Sequence, residues 1–87
     1  MRIAYHKTFK KSFEKLSAES REKFRQNIKL FTIDQFDRRL NNHILKGEFA
    51  NCRSINVGGD LRAIYKRIGN EELLFIKIGT HHDLYGK

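Results

Sequence analysis

The chain has 87 residues, of which 39% are apolar, so we expect residues 1–87 to form one domain with a modest core and not a disordered segment. Its 18 Lys and Arg against 10 Asp and Glu leave a formal charge of +8, which favours a polyanionic partner. No apolar run reaches transmembrane length and no signal peptide is recognisable, so we expect a cytoplasmic protein without a membrane partner.

The first half of the chain is predicted to form a strand and two amphipathic helices. Residues 2–5 alternate polar and apolar side chains, as an opening strand would. Residues 7–16 repeat apolar side chains at helical spacing, with lysines on the other face. A second such helix is predicted up to about residue 34, with Ser17 or Ser20 as its N-cap. The short joint between them indicates a helical hairpin that must bury its phenylalanines against another layer.

The second half is predicted to supply that layer as a sheet. Residues 52–57 and 61–68 are extended runs separated by a Gly-Gly pair, which suits a tight hairpin turn. A second turn, at Gly69-Asn70, leads to residues 72–78, which are apolar on both faces and therefore predicted to be central, with the first strand beside them. The order β-α-α-β-β-β, with a helical hairpin on one face of a small antiparallel-rich sheet, belongs to the α+β class.

The end of the chain carries the groups best suited to chemistry. The last apolar run leads into His81 and His82, and Tyr85 follows four residues after His81. An imidazole accepts or donates a proton near neutral pH, and a phenol can stack on an unstacked base. Metal-free RNA cleavage uses the 2′-hydroxyl as nucleophile and needs such proton transfers together with charge stabilisation at phosphorus. In so basic a chain we interpret this end as part of an RNA-cleaving site.

We expect no metal site and no cofactor. His81 and His82 are adjacent, so in an extended segment they would point to opposite faces and could not hold one ion together. Cys52 is the single cysteine, which excludes an internal disulfide and fits a reducing cytosol.

Three further residues complete one plausible catalytic set with His81 and Tyr85: His43, Asp60 and Arg62. Arg62 suits charge stabilisation because a guanidinium stays protonated and donates in a planar fork. Ordinary interpretations exist for both charged members, since an aspartate after two glycines often only forms a turn and Arg62 could face solvent on a strand. RNA contacts are predicted for a wider set of basic and polar residues: Lys46, Arg53, Asn56, Lys66 and His82.

Four successive blocks of the second half resemble the RelE superfamily of toxins from bacterial toxin–antitoxin pairs, and its YafQ branch in particular. They are HILKG at 43–47, CRSIN at 52–56, GDLRAIY at 59–65 and GTHHDLY at 79–85, and residues 5–13 resemble the family's opening strand and first helix. The resemblance implies a RelE-like fold and a ribosome-dependent mRNA interferase that cuts the codon in the ribosomal A site. It also implies an acidic antitoxin as partner.

The same resemblance implies site residues. YafQ-like toxins use two histidines, an aspartate, a C-terminal histidine and an aromatic residue, at positions that fall here on His43, Asn56, Asp60, His81 and Tyr85. Asn56 departs from the pattern, because an amide cannot act as an acid or base although it can hydrogen-bond RNA. Leu61 departs as well, because it replaces an aromatic residue. Arg62 falls where the superfamily often has a phosphate-binding arginine, which implies a role in stabilising the transition state.

Two alternatives remain open. A ParE-type toxin would share the fold but inhibit DNA gyrase without cutting RNA. A catalytically silent RNA-binding module would use its histidines only as phosphate contacts. The ending that joins His81 to Tyr85 argues against the first alternative, because a protein that only binds needs no imidazole there.

Overall fold

The computed structural model describes residues 1–86 and shows two helices packed on one face of a five-stranded mixed sheet. The strands and longer helices are β1 (Arg2–Tyr5), α1 (Lys7–Glu14), α2 (Ala18–Ile33), β2 (His43–Ile44), β3 (Arg53–Gly58), β4 (Leu61–Gly69), β5 (Glu72–Thr80) and α3 (His81–Tyr85). Short 3-10 turns at Arg38–Leu40 and Gly47–Phe49 flank β2. The predicted α+β class and the placement of the helix pair on the sheet are confirmed.

The sheet has the order β1-β5-β4-β3-β2. β3, β4 and β5 form an antiparallel meander, and β1 pairs in parallel with β5. β5 therefore has a neighbour on each side, as its apolar residues predicted. β2 was not predicted; it pairs with Arg53 and Ser54 at the edge of β3. A strand this short has no hydrophobic period, so the sequence pattern could not reveal it.

The main core lies between the helices and the sheet, and Phe75 of β5 is at its centre. Phe75 is fully buried, and five aromatic rings have centroids between 5.2 and 5.9 Å from its own: Tyr5, Phe9, Phe24, Phe31 and Tyr65. Tilted and edge-to-face contacts of this kind add to the stabilisation from burial. The phenylalanine stripe of the two helices is thus buried against the strand that the sequence marks as most apolar.

Polar side chains define where the helices begin. The Ser17 hydroxyl accepts a hydrogen bond from the Ser20 backbone N–H at 3.1 Å, which confirms Ser17 as the N-cap of α2. His6 caps α1 in the same way, because its Nδ1 accepts the Thr8 N–H at 3.1 Å. Among residues 1–86, none of the helices is long and apolar enough to cross a membrane.

Both hairpin turns lie one residue later than predicted. β3 continues through Gly58, and the turn consists of Gly59 and Asp60, with Gly59 in the left-handed region at φ 54°. β4 likewise continues through Gly69. A register shift between Asn56 and Gly58 accounts for the first displacement, because the irregular pairing extends the strand before the chain reverses.

Candidate active site

The face of the sheet opposite α1 and α2 carries a second, smaller apolar cluster. Ile64 of β4 lies between Ala63 and Tyr65, which belong to the main core, so its side chain points to the other face. The cluster contains Cys52, Ile64 and Leu84, with Leu45, Phe49, Ile76 and Tyr85 packed around them. A cleft of about 500 Å³ opens beside it, and we call this the open-face cleft.

The open-face cleft collects half of the predicted site residues: His43, Lys46, Arg62, His81 and Tyr85. They come from β2, from the loop that follows it, from β4 and from α3, so segments distant in the sequence meet here. Its other lining residues were not singled out from the sequence: Asn41, Leu45, Glu48, Phe49 and Ser54. The side chains in the cleft thus bring two imidazoles, a guanidinium, an ammonium and a phenol together.

The expectation that His81 and His82 lie in an extended segment is wrong, because both belong to α3. The Thr80 hydroxyl accepts the Asp83 N–H, and the Asp83 carboxylate accepts the Thr80 N–H, both at 3.1 Å. This reciprocal capping box starts the helix, and its bonds from Thr80 hold the pKa of Asp83 below its ordinary value. The signal was present as Thr-x-x-Asp, followed by Gly86, which ends the helix at φ 70°.

The helix decides which of these groups share a face. His81 and Tyr85 are separated by one helical turn, and their ring centroids are 4.7 Å apart. The Tyr85 ring also packs on Phe49 in an edge-to-face contact with centroids 5.9 Å apart. His82 is rotated about 100° from His81 around the helix axis and lies outside the cleft lining. The structure therefore separates the two adjacent histidines and joins His81 to Tyr85.

His43 is held in one orientation by a backbone carbonyl. Its Nδ1 lies 2.8 Å from the carbonyl oxygen of Asn41. A carbonyl can only accept, so this contact assigns the hydrogen of the neutral ring to Nδ1 and leaves the lone pair at Nε2. Asn41 has a left-handed backbone, with φ 45°, which asparagine tolerates better than most residues. His43 is therefore set up as a proton acceptor through Nε2.

Arg62 supplies the positive charge of the cleft. Its Nη1 donates to the backbone carbonyls of Gly59 at 2.9 Å and Leu61 at 3.1 Å. Within the described residues the ion pairs involve other basic side chains, so no carboxylate neutralises this guanidinium. Glu48 lines the same cleft as a separate negative charge. An arginine in this state is available to bind a phosphate.

The remaining predicted residues lie outside the cleft lining. Asp60 occupies the exposed turn between β3 and β4, and Lys66 is exposed farther along β4. Asn56 is the cross-strand partner of Arg62 on β3, directly beside the cleft. The structure thus gathers the two imidazoles and the guanidinium but not the predicted aspartate.

Arg53 has a structural environment instead. Its Nε donates to Asn42 Oδ1 at 2.7 Å, and Asn42 Nδ2 donates to the Tyr65 hydroxyl at 2.7 Å. The guanidinium also lies 5.2 Å from the centroid of the Phe36 ring. Burial raises the pKa of Tyr65, which keeps the phenol protonated. Arg53 therefore ties the segment before β2 to the core, on the side of the sheet away from the cleft.

Ser54 is a cleft residue that no sequence signal singled out. It is 1% exposed, and its hydroxyl has no hydrogen-bond partner among residues 1–86; the same holds for the buried Oδ1 of Asn56. Unsatisfied buried polar atoms are rare in folded proteins and cluster where a ligand or a moving side chain supplies the partner. Both atoms lie on β3, at the floor or border of the cleft.

Solved structures with the same architecture define the class. YafQ from E. coli strain BL21(DE3) matches with a TM-score of 0.79 at 25% identity, covering 99% of this chain and 100% of that one. A YoeB/ParE toxin from Agrobacterium tumefaciens matches at 0.76 and 21% identity, with 93% and 99% covered. An archaeal RelE–RelB complex from Pyrococcus horikoshii OT3 matches at 0.71 and 18%, with 91% and 92% covered. The fold is that of the RelE-like toxins.

The family follows from the sequence match. Residues 1–86 match the family model described as the bacterial toxin of type II toxin–antitoxin systems, YafQ, and the chain belongs to this family. No curated protein matches the chain. The resemblance to the RelE superfamily and its YafQ branch is thereby confirmed.

Proposed function

We propose that this toxin is a ribosome-dependent mRNA endonuclease that cuts the A-site codon through the substrate's own 2′-hydroxyl, without a metal ion. One observation carries the proposal. The open-face cleft places His43, with its tautomer set by the Asn41 carbonyl, together with His81 and an arginine that no carboxylate pairs. These groups match the proton acceptor, proton donor and charge stabiliser that the reaction needs.

Each cleft group has one role in the reaction. His43 Nε2 takes the proton of the 2′-hydroxyl as the 2′-oxygen bonds to phosphorus. Arg62 stabilises the extra negative charge on the phosphorane. The protonated His81 gives its proton to the 5′-oxygen as the bond from phosphorus to that oxygen breaks. The products are a 2′,3′-cyclic phosphate on the upstream fragment and a 5′-hydroxyl on the downstream one.

The outer residues of the site bind and orient the RNA. Tyr85 is held between His81 and Phe49, so its ring can stack on the target nucleotide without losing its position. Lys46 lines the cleft and supplies a phosphate contact. Asp60, Lys66 and His82 are exposed and are proposed to contact ribosome or RNA around the cleft, and Asp60 remains a candidate for proton transfer.

The partner proposal follows from relatives and from charge. DinJ–YafQ and RelE–RelB complexes are known for relatives of this fold. This chain has a formal charge of +8, which an acidic partner complements. We place the toxin in the cytoplasm, held by a small acidic antitoxin whose mobile segment covers Arg62 and His81 and becomes ordered on binding.

The chemistry of the cut ends tests the function. Purified toxin added to programmed ribosomes should cut mRNA within the A-site codon, leave a 5′-hydroxyl end, and continue in EDTA as far as the ribosomes remain intact. A message with 2′-deoxy at the target nucleotide should resist, because the nucleophile is missing. Cleavage of the 2′-deoxy message would contradict the mechanism. Intact transcripts together with trapped gyrase–DNA breaks would indicate the ParE-type activity instead.

Gly79 offers a test of how α3 positions the site. A Cβ added at Gly79 would lie 2.9 Å from the Asp83 Cβ and 3.2 Å from its Oδ2, so Asp83 must shift. Gly79→Ala should therefore weaken the capping box, displace His81 and Tyr85, and slow cleavage by about 100-fold, the usual effect of a misplacement near 1 Å. Cleavage is measured on programmed ribosomes.

Gly69→Ala is the matched control for that variant. The nearest atom to its added Cβ is the flexible end of Glu72, at 3.3 Å, at the far end of β5. It should leave cleavage near the wild-type rate. Equal rates for Gly79→Ala and wild type would show that the site does not depend on the close approach of α3 to β5.

A further inference from the structure

Asn56 has a buried acceptor that the folded chain leaves unused. Its Oδ1 has no hydrogen-bond partner among the described residues. A buried amide oxygen without a partner costs free energy, so a fold that keeps one needs a reason to do so. Asn56 belongs to β3, and its register partner on β4 is Arg62. Side chains in such cross-strand pairs share one face and lie with their Cβ atoms about 4.5–5.5 Å apart.

Arg62 is held in a position that uses only part of its donor capacity. Its Nη1 donates to the carbonyls of Gly59 and Leu61, so the guanidinium is folded back on its own hairpin turn. A guanidinium has five N–H donors in a rigid plane, and a phosphate takes two of them in parallel. The side chain must therefore turn away from the carbonyls before it can offer a fork to a phosphate.

We propose that Asn56 is a positioning residue for Arg62. When RNA occupies the open-face cleft, the guanidinium leaves the turn, donates to Asn56 Oδ1, and presents its remaining N–H groups to the reacting phosphate. The unused acceptor, its register with Arg62 and the partly used guanidinium all have a reason in this arrangement. The inference rests on the proposed function, and it gives Asn56 a contact with Arg62 where the sequence predicted one with RNA.

The amide suits this task better than a carboxylate would. A neutral acceptor fixes the plane of the guanidinium and leaves its charge uncompensated, so the field at the phosphate is kept. A carboxylate at the same place would form an ion pair and cancel part of that field. Direct contact between RNA and Oδ1 is also disfavoured by burial, because the atom is covered in the folded chain.

Single variants give the first test. Asn56→Ala should lower kcat on programmed ribosomes by about 10- to 100-fold, the rate equivalent of one hydrogen bond to a charged group, with KM changed less than about 2-fold. Its melting temperature should equal or exceed that of the wild type, because the lost oxygen has no partner to strand. Asn56→Asp should also cleave slowly, since its charge neutralises Arg62.

A double-mutant cycle identifies Arg62 as the residue through which Asn56 acts. In single-turnover reactions, adding Asn56→Ala to Arg62→Ala should cause no further loss, because the group to be positioned is already gone. Asn27→Ala is the matched control. Asn27 lies on α2, and its amide donates to the Val57 carbonyl at 2.9 Å, so this variant should lower the melting temperature and leave kcat unchanged.

Several results would overturn the inference while leaving the proposed function standing. They are a wild-type kcat for Asn56→Ala, a raised KM with kcat unchanged, or an equal loss from Asn56→Ala in the wild-type and Arg62→Ala backgrounds. The last two would show that Asn56 contacts RNA by itself. A wild-type protein that does not cleave programmed mRNA at all would overturn the proposed function and this inference together.

Discussion

His81→Ala should slow cleavage of ribosome-bound mRNA by about 10²–10⁴-fold, the range typical of losing a general acid or base. His81 lines the open-face cleft from α3 and packs on Tyr85, where it can reach the leaving 5′-oxygen. It is exposed and contributes nothing to either apolar cluster, so the fold should survive the change. Single-turnover rates on programmed ribosomes, with circular dichroism of the variant, measure both effects.

His82→Ala is the control from the same helix turn. His82 is equally exposed but lies outside the cleft lining, so its loss should reduce cleavage far less than the loss of His81. His43→Ala should resemble His81→Ala, because the reaction needs an acceptor as well as a donor. A His81→Ala protein that cuts at the wild-type rate would remove His81 from the mechanism and leave the donor role to another group.

Phe75→Ala should lower the free energy of unfolding by about 3–5 kcal/mol, the usual cost of truncating a buried phenylalanine. Phe75 is fully buried and touches five aromatic rings, so the cavity would open at the centre of the core. Total stability for a chain of this length is roughly 4–13 kcal/mol, so the loss is a large fraction of it. Denaturation by urea, followed by circular dichroism, measures the change.

Phe36→Ala provides the comparison within the same residue type. Phe36 is 61% exposed, and its recorded ring contact is with the Arg53 guanidinium, worth about 0.5–1 kcal/mol at an exposed site. Its truncation should therefore cost far less than that of Phe75. Equal urea midpoints for wild type and Phe75→Ala would show that the core does not depend on this ring.

The regular part of the fold was readable from the sequence because it depends on local periodicity. The helical spacing of phenylalanines predicted α1 and α2, the serine cap predicted where α2 begins, and the apolar run predicted a β5 with neighbours on both sides. The short elements escaped that reasoning. β2 has too few residues for a period, whereas α3 had a usable signal in its Thr-x-x-Asp capping box.

The sequence by itself determined which chemical groups the protein owns: the histidines, Arg62 and Tyr85, in a strongly basic chain whose blocks match the YafQ family. Only the tertiary structure decided which of them work together. It brought His43 to His81 across the sheet, rotated His82 away, and left Asp60 in an exposed turn. The physical reason is that helix phase, strand register and the direction of a single carbonyl, that of Asn41, depend on backbone geometry that residue types alone do not specify.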